Sequence, residues 1–197
     1  LNKEKGINMQ STGQYEPIKF LDGKRVYLRP MENEDLDFFY TKALWDKEGR
    51  RLTGTQTVFN RSGVQNWFEN ISSDNSRIDL FICLQESNQP IGDIAMLDID
   101  HQNRNSVVRI SIFDHEFWGN GYGTEAMSLL LKYGFEILNL HRIGLDVYSF
   151  NKRGIKSYEK LGFKQEGIIR DELFYDGEYH DSIIMGVLKG EFNQIDN

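Results

Sequence analysis

The chain has 197 residues, with 23 Lys plus Arg against 30 Asp plus Glu and a formal net charge of −7 at pH 7. This length favours one domain that buries a core without disulfides or structural metal, and 39% hydrophobic with 13% aromatic residues argues against disorder. The acidic balance disfavours nucleic acid and anionic membrane as partners and suits cationic small molecules or peptides. The lone Cys83 excludes an intramolecular disulfide and a cysteine-based zinc site. No apolar run approaches the roughly 18 residues of a membrane span. The N-terminal segment lacks the apolar core of a secretory signal, so cytoplasm is the expected location.

In chain order, residues 1–22 read as a flexible extension, 23–190 as one domain and 191–197 as a tail. Arg25 to Arg29 is a short strand closed by Pro30, with Val26 and Leu28 on one face. Glu32, Glu34 and Asp35 crowd the first turn of an amphipathic helix that carries Leu36, Phe39, Tyr40, Ala43 and Leu44. The stretch EGRRLTGTQT reads as a loop, after which Ser62 caps a helix burying Val64, Trp67, Phe68 and Ile71. Three β-rich runs follow, Ile78 to Gln85, Ile91 to Ile99 and Val107 to Phe113, and form an antiparallel meander. Gly121 to Leu138 is the strongest helix, Arg142 to Tyr148 a strand, and Asn151 to Leu161 a helix stopped by Gly162. Two closing strands, Lys164 to Phe174 and Glu178 to Leu188, are joined by Asp176-Gly177, a hairpin signal. The order predicts an α+β fold: a mixed, mostly antiparallel seven-stranded sheet with flanking helices and one parallel βαβ crossover.

The segment RISIFDHEFWGNGYGTEAMSLLL carries the chemistry. A strand ends near Phe113, a loop with Gly119, Gly121 and Gly123 follows, and a long helix starts at once. Such glycines either merely permit a tight strand-to-helix turn or let backbone N–H groups turn around an anion, to which the helix N-terminus adds free donors and its positive dipole end. Gly121-Tyr-Gly123-Thr-Glu-Ala126 also satisfies the dinucleotide fingerprint G-x-G-x-x-A, with Asp146 near the end of the next strand. That pattern belongs to the first strand of a parallel, repeated βαβ sheet, whereas here a meander comes first. A dinucleotide-binding oxidoreductase is therefore the weaker alternative.

WGNGYGTEA, followed by NKRGIKSYEKLGF and then EGIIRDELFYDGEYHDSIIM, resembles the GCN5-related N-acetyltransferase (GNAT) superfamily. Within it, the branch of ribosomal-protein alanine and spermidine acetyltransferases is the most similar. The resemblance runs from about Lys24 to Lys189 and implies an acetyl-CoA-dependent N-acetyltransferase acting on a primary amine: a protein N-terminus, a polyamine or another small amine. It further implies that acetyl-CoA lies in a V between splayed strands matching Val107 to Phe113 and Arg142 to Tyr148. Ser111, Ile112 and Phe113 would pair with the pantetheine arm, and Trp118, Gly119, Asn120, Gly121, Tyr122, Gly123 and Thr124 would hold the pyrophosphate. Asn151 matches the residue that hydrogen-bonds pantetheine and Tyr158 the acid facing the sulfur. Trp118 departs from the Gln or Arg usual in the superfamily, and Gly154 from the usual Ser or Ala; neither removes a backbone donor.

Acetyl transfer needs a neutral amine, a stabilised oxyanion and a proton for the leaving thiolate. Tyr158 suits the last role, and a backbone N–H at Ile112 or Phe113 the oxyanion. A carboxylate acting through water, best one whose pKa burial raises, would serve as base; of Asp114, Glu116, Asp98 and Asp93, Glu116 and Asp98 are ranked ahead. The four histidines lack metal-ligand spacing, so no metal is expected. Cys83 reads as a packed core thiol. The acidic aromatic cluster Asp171, Glu172, Tyr175, Glu178, Tyr179 and Asp181 either lines a cationic acceptor site or is a solvated turn. The expected partners are acetyl-CoA and an amine acceptor, with no nucleic acid or membrane and with homo-oligomerisation open. A non-catalytic acyl-CoA-binding module of the same fold is the other alternative.

Overall fold

A computed structural model describes residues 18–71 and 73–195. Its elements are β1 (Leu21–Asp22), β2 (Val26–Pro30), α1 (Leu36–Phe38), α2 (Lys47–Leu52), α3 (Arg61–Ile71), β3 (Ile78–Leu84), β4 (Pro90–Asp100), β5 (Asn105–Ile112), α4 (Tyr122–Glu136), β6 (Arg142–Tyr148), α5 (Lys152–Lys160), β7 (Lys164–Tyr175) and β8 (Glu178–Leu188). The strands form one sheet in the order β1-β2-β3-β4-β5-β6-β8-β7. Every neighbouring pair is antiparallel except β5 with β6.

Period-two alternation sorts side chains into two layers. Val26, Leu28, Leu80, Ile82, Ile94 and Met96 face α4, which packs Ala126, Met127, Leu130, Leu131 and Phe135 on them. Gly134 permits this approach, because a Cβ there would lie 2.7 Å from Met96 Cε. Tyr27, Phe81, Cys83 and Phe113 face the other way, against Phe39, Val64 and Phe68, with Phe39 stacked on Trp67 at 5.4 Å. Cys83 is fully buried, as expected of a core thiol.

Several expectations are corrected. The sheet has eight strands rather than seven, because Leu21 and Asp22 pair with Leu28 and Tyr27. The folded body also starts before residue 23 and continues past 190: Phe20 sits 5.1 Å from Tyr133, and Phe192 5.5 Å from Phe135. The rest of the expected extension, residues 1–17, lies outside the described residues. The EGRRLTGTQT stretch is partly helical, since the Asp46 carboxylate accepts from the Gly49 amide and caps α2. Helix α3 starts earlier than expected, capped by Asn60, whose Oδ1 accepts from Gly63 N at 2.7 Å, instead of Ser62. The first amphipathic helix is a composite: a 3-10 turn at Asn33–Asp35, α1, then a π turn at Phe39–Ala43.

Candidate active site

The site begins where the sheet comes apart. β5 and β6 pair only at Asn105↔Arg142, Ser106↔Ile143 and Val107↔Gly144. Beyond that, β5 stays with β4 as far as Gly92↔Ile112 and β6 stays with β8 as far as Tyr148↔Ser182. The facing edges are left without sheet partners, open to an added extended ligand. A cleft of about 1180 Å³ opens between them, lined by Ser111, Ile112 and Phe113 on one side and Leu145 to Tyr148 on the other.

The amide of Phe113 donates to Ile91 O at 2.9 Å, which removes it as an oxyanion donor. Successive amides of a strand point to opposite edges, so the Ile112 N–H faces the gap. Its carbonyl does too, accepting from Trp118 Nε1 at 3.0 Å.

Beyond Phe113 the chain turns through Gly119 (φ 77°) and Gly121 (φ 84°), the latter the N-cap of α4. These left-handed angles are what glycine supplies. Trp118, Gly119, Gly121, Gly123 and Thr124 line the cleft. Asn120 and Tyr122 do not; they brace the loop from behind. The Asn120 carbonyl accepts from Arg25 Nη1 at 2.8 Å, and the Tyr122 ring lies 5.3 Å from the same guanidinium. Arg25 is itself held by Glu125, a carboxylate only 1% exposed.

Across the cleft, Asn151 caps α5 by accepting from Gly154 N at 2.9 Å. A Cβ on residue 154 would lie 2.7 Å from Asn151 Nδ2, so the glycine leaves the capping side chain more room. Thr124 Oγ1 and Ser157 Oγ, 3.2 Å apart, tie α4 to α5. Tyr158 lines the cleft and meets Phe163 edge-on at 5.9 Å. Burial pushes its phenol up to about 12, so it stays a proton donor at neutral pH. Sequence reasoning missed the cations of this helix. Lys152, Arg153, Lys156 and Lys160 line the cleft with no ion-pair partner among the described residues, and Arg153 lies 4.1 Å over the Trp118 ring. Their spacing on one helix was a readable signal for a polyanionic ligand.

The structure brings neither favoured base into the cleft. Glu116 is exposed on the outer turn His115–Phe117. Asp98 (φ 50°) sits in a register break of β4, at the end of the sheet where β5 and β6 still pair. Asp114 caps the Glu116 amide at 3.1 Å. Asp93 does line the cleft and burial raises its carboxyl, but Arg109 neutralises it. Two other carboxylates, Asp146 on β6 and Glu172 on β7, line the cleft with no ion-pair partner among the described residues. Burial, then the nearby Glu172 charge, raises Asp146 above the usual carboxylate range. Of the acidic aromatic cluster only Glu172 lines the cleft; Asp181 accepts the Asp171 amide at 3.0 Å.

A strand-like edge for an extended amide arm, a glycine loop at a helix N-terminus, free cations for phosphates and a protonated tyrosine together define an acyl-CoA-dependent transferase. Residues 25–164 match the family model described as the acetyltransferase (GNAT) domain. The spermidine N(1)-acetyltransferase of Escherichia coli K12 is 29% identical over 182 residues, covering 85% of this chain and 88% of that protein. The SPbeta prophage-derived uncharacterized N-acetyltransferase YokL of Bacillus subtilis is 28% identical over 176 residues, covering 89% and 96%. Among solved structures, spermidine N-acetyltransferase from Vibrio cholerae in complex with CoA and spermine superposes with a TM-score of 0.78 at 25% identity, covering 85% of this chain and 97% of that one. The chain belongs to the GNAT family and is an acetyl-CoA-dependent N-acetyltransferase. The dinucleotide reading of the glycine loop is thereby set aside.

Proposed function

We propose that the protein transfers the acetyl group directly, in a ternary complex, from acetyl-CoA to a small cationic alkylamine of the polyamine class. The observation that carries this is the two-signed cleft: unpaired cations on α5 at one side, and the unpaired carboxylates Asp146 and Glu172 at the other. The polyamine acceptors of the similar Escherichia coli and Vibrio cholerae enzymes agree with it.

In this reading the β5 edge at Ser111 to Phe113 and Asn151 hold the pantetheine arm. The loop from Trp118 to Thr124 and the α5 cations hold the phosphates. The Ile112 N–H stabilises the developing oxyanion and Tyr158 protonates the departing thiolate. Cytoplasmic residence fits, because acetyl-CoA is an intracellular donor. The test is release of free CoA with spermidine, propylamine and an alanine-starting peptide as acceptors. Spermidine turnover well above that of the other two is the expected result. Preference for the peptide would overturn the acceptor class, and CoA binding without transfer to any amine would favour a non-catalytic module.

A further inference from the structure

We propose that Asp146, Glu172 and Ser182 form the acceptor-ammonium site, with Asp146 as the catalytic base that receives the amine's proton; this rests on the reading as an amine acetyltransferase. The three converge from separate strands. Asp146 and Tyr148 share one face of β6 by period two, and Ser182 of β8 is the register partner of Tyr148, which places it on that face. Glu172 arrives from β7, where the pairing with β8 is irregular between Ile169 and Leu173 and Asp171 takes a left-handed φ of 54°. Asp146, Tyr148 and Glu172 all line the same cleft, and after burial the Glu172 charge raises both Asp146 and Tyr148.

Ser182 is the independent sign of a ligand. It is 1% exposed and lines the cleft, and its buried hydroxyl has no hydrogen-bond partner among the described residues. A buried, unpaired hydroxyl destabilises a fold. In the wall of a cleft it is a polar group waiting for a donor or acceptor, and an ammonium supplies up to three N–H donors. Several charged groups on the neighbouring strands and on α2 are already committed. Arg142 pairs with Glu166, Arg109 with Asp93 and Asp79, and Arg77 with Asp79. Arg50 of α2 donates to the carbonyls of Leu44 and Thr57, and Asp46 caps α2. Asp146 and Glu172 therefore supply the uncompensated negative charge.

The protons balance as follows. An ammonium N–H proton passes to a carboxylate oxygen of Asp146, and the freed nitrogen lone pair forms the C–N bond to the acetyl carbonyl carbon. The C–S bond breaks with its electron pair on sulfur. Tyr158 gives its proton to the thiolate and is reprotonated by the second proton leaving nitrogen; Asp146 returns the first proton to solvent. Glu172 keeps the ammonium bound and makes Asp146 a stronger base.

The test follows kcat and KM for spermidine against pH in the wild type, Asp146→Asn, Glu172→Gln and Ser182→Ala, with calorimetric titration of spermidine into the CoA-saturated protein. Asp146→Asn should lower kcat about 100-fold, as loss of a general base does, abolish the acid limb and weaken spermidine binding while CoA binding persists. Glu172→Gln should move the acid limb to lower pH, because the charge that raises Asp146 is gone. Ser182→Ala should raise KM for spermidine while raising Tm, a combination a purely structural serine does not give. If Asp146→Asn fails to fold, the exposed Glu172→Gln decides: an unshifted limb overturns the proposal. So does unchanged kcat and spermidine affinity in Asp146→Asn. A wild type that binds CoA and spermidine yet transfers nothing defeats the amine-acetyltransferase reading; the site then stands or falls on whether Asp146→Asn and Glu172→Gln lose spermidine affinity.

Discussion

Arg25 Nε and Glu125 Oε2 meet at 2.8 Å across 100 residues of sequence, behind the glycine loop. The same guanidinium reaches the Asn120 carbonyl, so the pair ties the residue just before β2 to the first turn of α4 and fixes the back of the glycine loop proposed to hold the pyrophosphate. Arg25→Ala should weaken acetyl-CoA binding by roughly tenfold, about 1.4 kcal/mol, and leave kcat at saturating acetyl-CoA little changed. Steady-state kinetics with calorimetric CoA titration checks this; equal losses in kcat and affinity would contradict a purely positioning role.

Glu125→Ala acts on the fold itself. It strips the acceptor from the Arg25 side chain and from the Arg25 amide, which bonds Glu125 Oε1 at 2.8 Å. The expected loss is about 2–3 kcal/mol, the cost of orphaning partners of a buried charged acceptor. Urea unfolding measures it, and a loss within experimental error would refute the assignment.

Tyr158→Phe removes the hydroxyl proposed to protonate the thiolate while keeping the ring against Phe163. kcat should fall by roughly 10²-fold or more with CoA affinity intact. Because burial holds this phenol at about 12, the wild-type rate should not decline between pH 8 and pH 10 through its ionisation. A Tyr158→Phe enzyme of undiminished turnover would end its role as the acid.

Gly121→Val places a β-branched residue at a φ of 84°, with its Cβ 3.1 Å from Arg25 Nη2. Left-handed backbone costs a side-chain-bearing residue about 1–2 kcal/mol, which the loop can relieve only by leaving its anion-binding shape. CoA titration should register an affinity loss of tenfold or more, and an unaltered isotherm would count against the loop's role.

Alkaline pH should destabilise the protein in a defined window. Tyr27, raised chiefly by burial and then by Cys83, and Tyr158, raised by burial, both hold their protons to about 12, against an ordinary value of 10. Above pH 10 the unfolded chain releases these protons and the folded chain does not, so the stability present below pH 10 drains away up to about pH 12. Urea midpoints should drop steeply over that range, and Tyr27→Phe should make the drop shallower. A parallel drop in the variant would assign the effect elsewhere.

What the sequence revealed was what local chemistry controls. Strand β6, Arg142–Tyr148, and β8, Glu178–Leu188, lie where alternation and the Asp176-Gly177 turn put them. The glycine loop was readable because its function requires unusual backbone in one short stretch. Helix α2 was hidden because its cap, Asp46, had to outweigh a run rich in Gly, Thr and Arg. Asn60 outcompeted Ser62 as a cap, a choice between two acceptable residues that local propensity alone does not make. Asp146 and Glu172 were hidden for a different reason. Each is an ordinary carboxylate until the splay of β5 from β6 and the irregular pairing of β7 bring both to one cleft. Glu116 and Asp98 had suitable chemistry and proximity in sequence, but Glu116 lies exposed on the turn after β5 and the register break of β4 puts Asp98 at the far end of the sheet.

The division of the cleft into a cationic and an anionic wall bears on how a catalytic cycle ends. An ammonium is drawn to Asp146 and Glu172 by its charge, and acetylation converts that nitrogen into a neutral amide. The reaction erases the charge on the one nitrogen those carboxylates hold, so the product loosens its grip there at the moment it forms. The α5 wall receives no such signal, because CoA keeps its phosphates through the cycle. Departure should therefore be sequential, acetylated amine first and CoA second, and the slow exit should belong to the partner whose charge never changes.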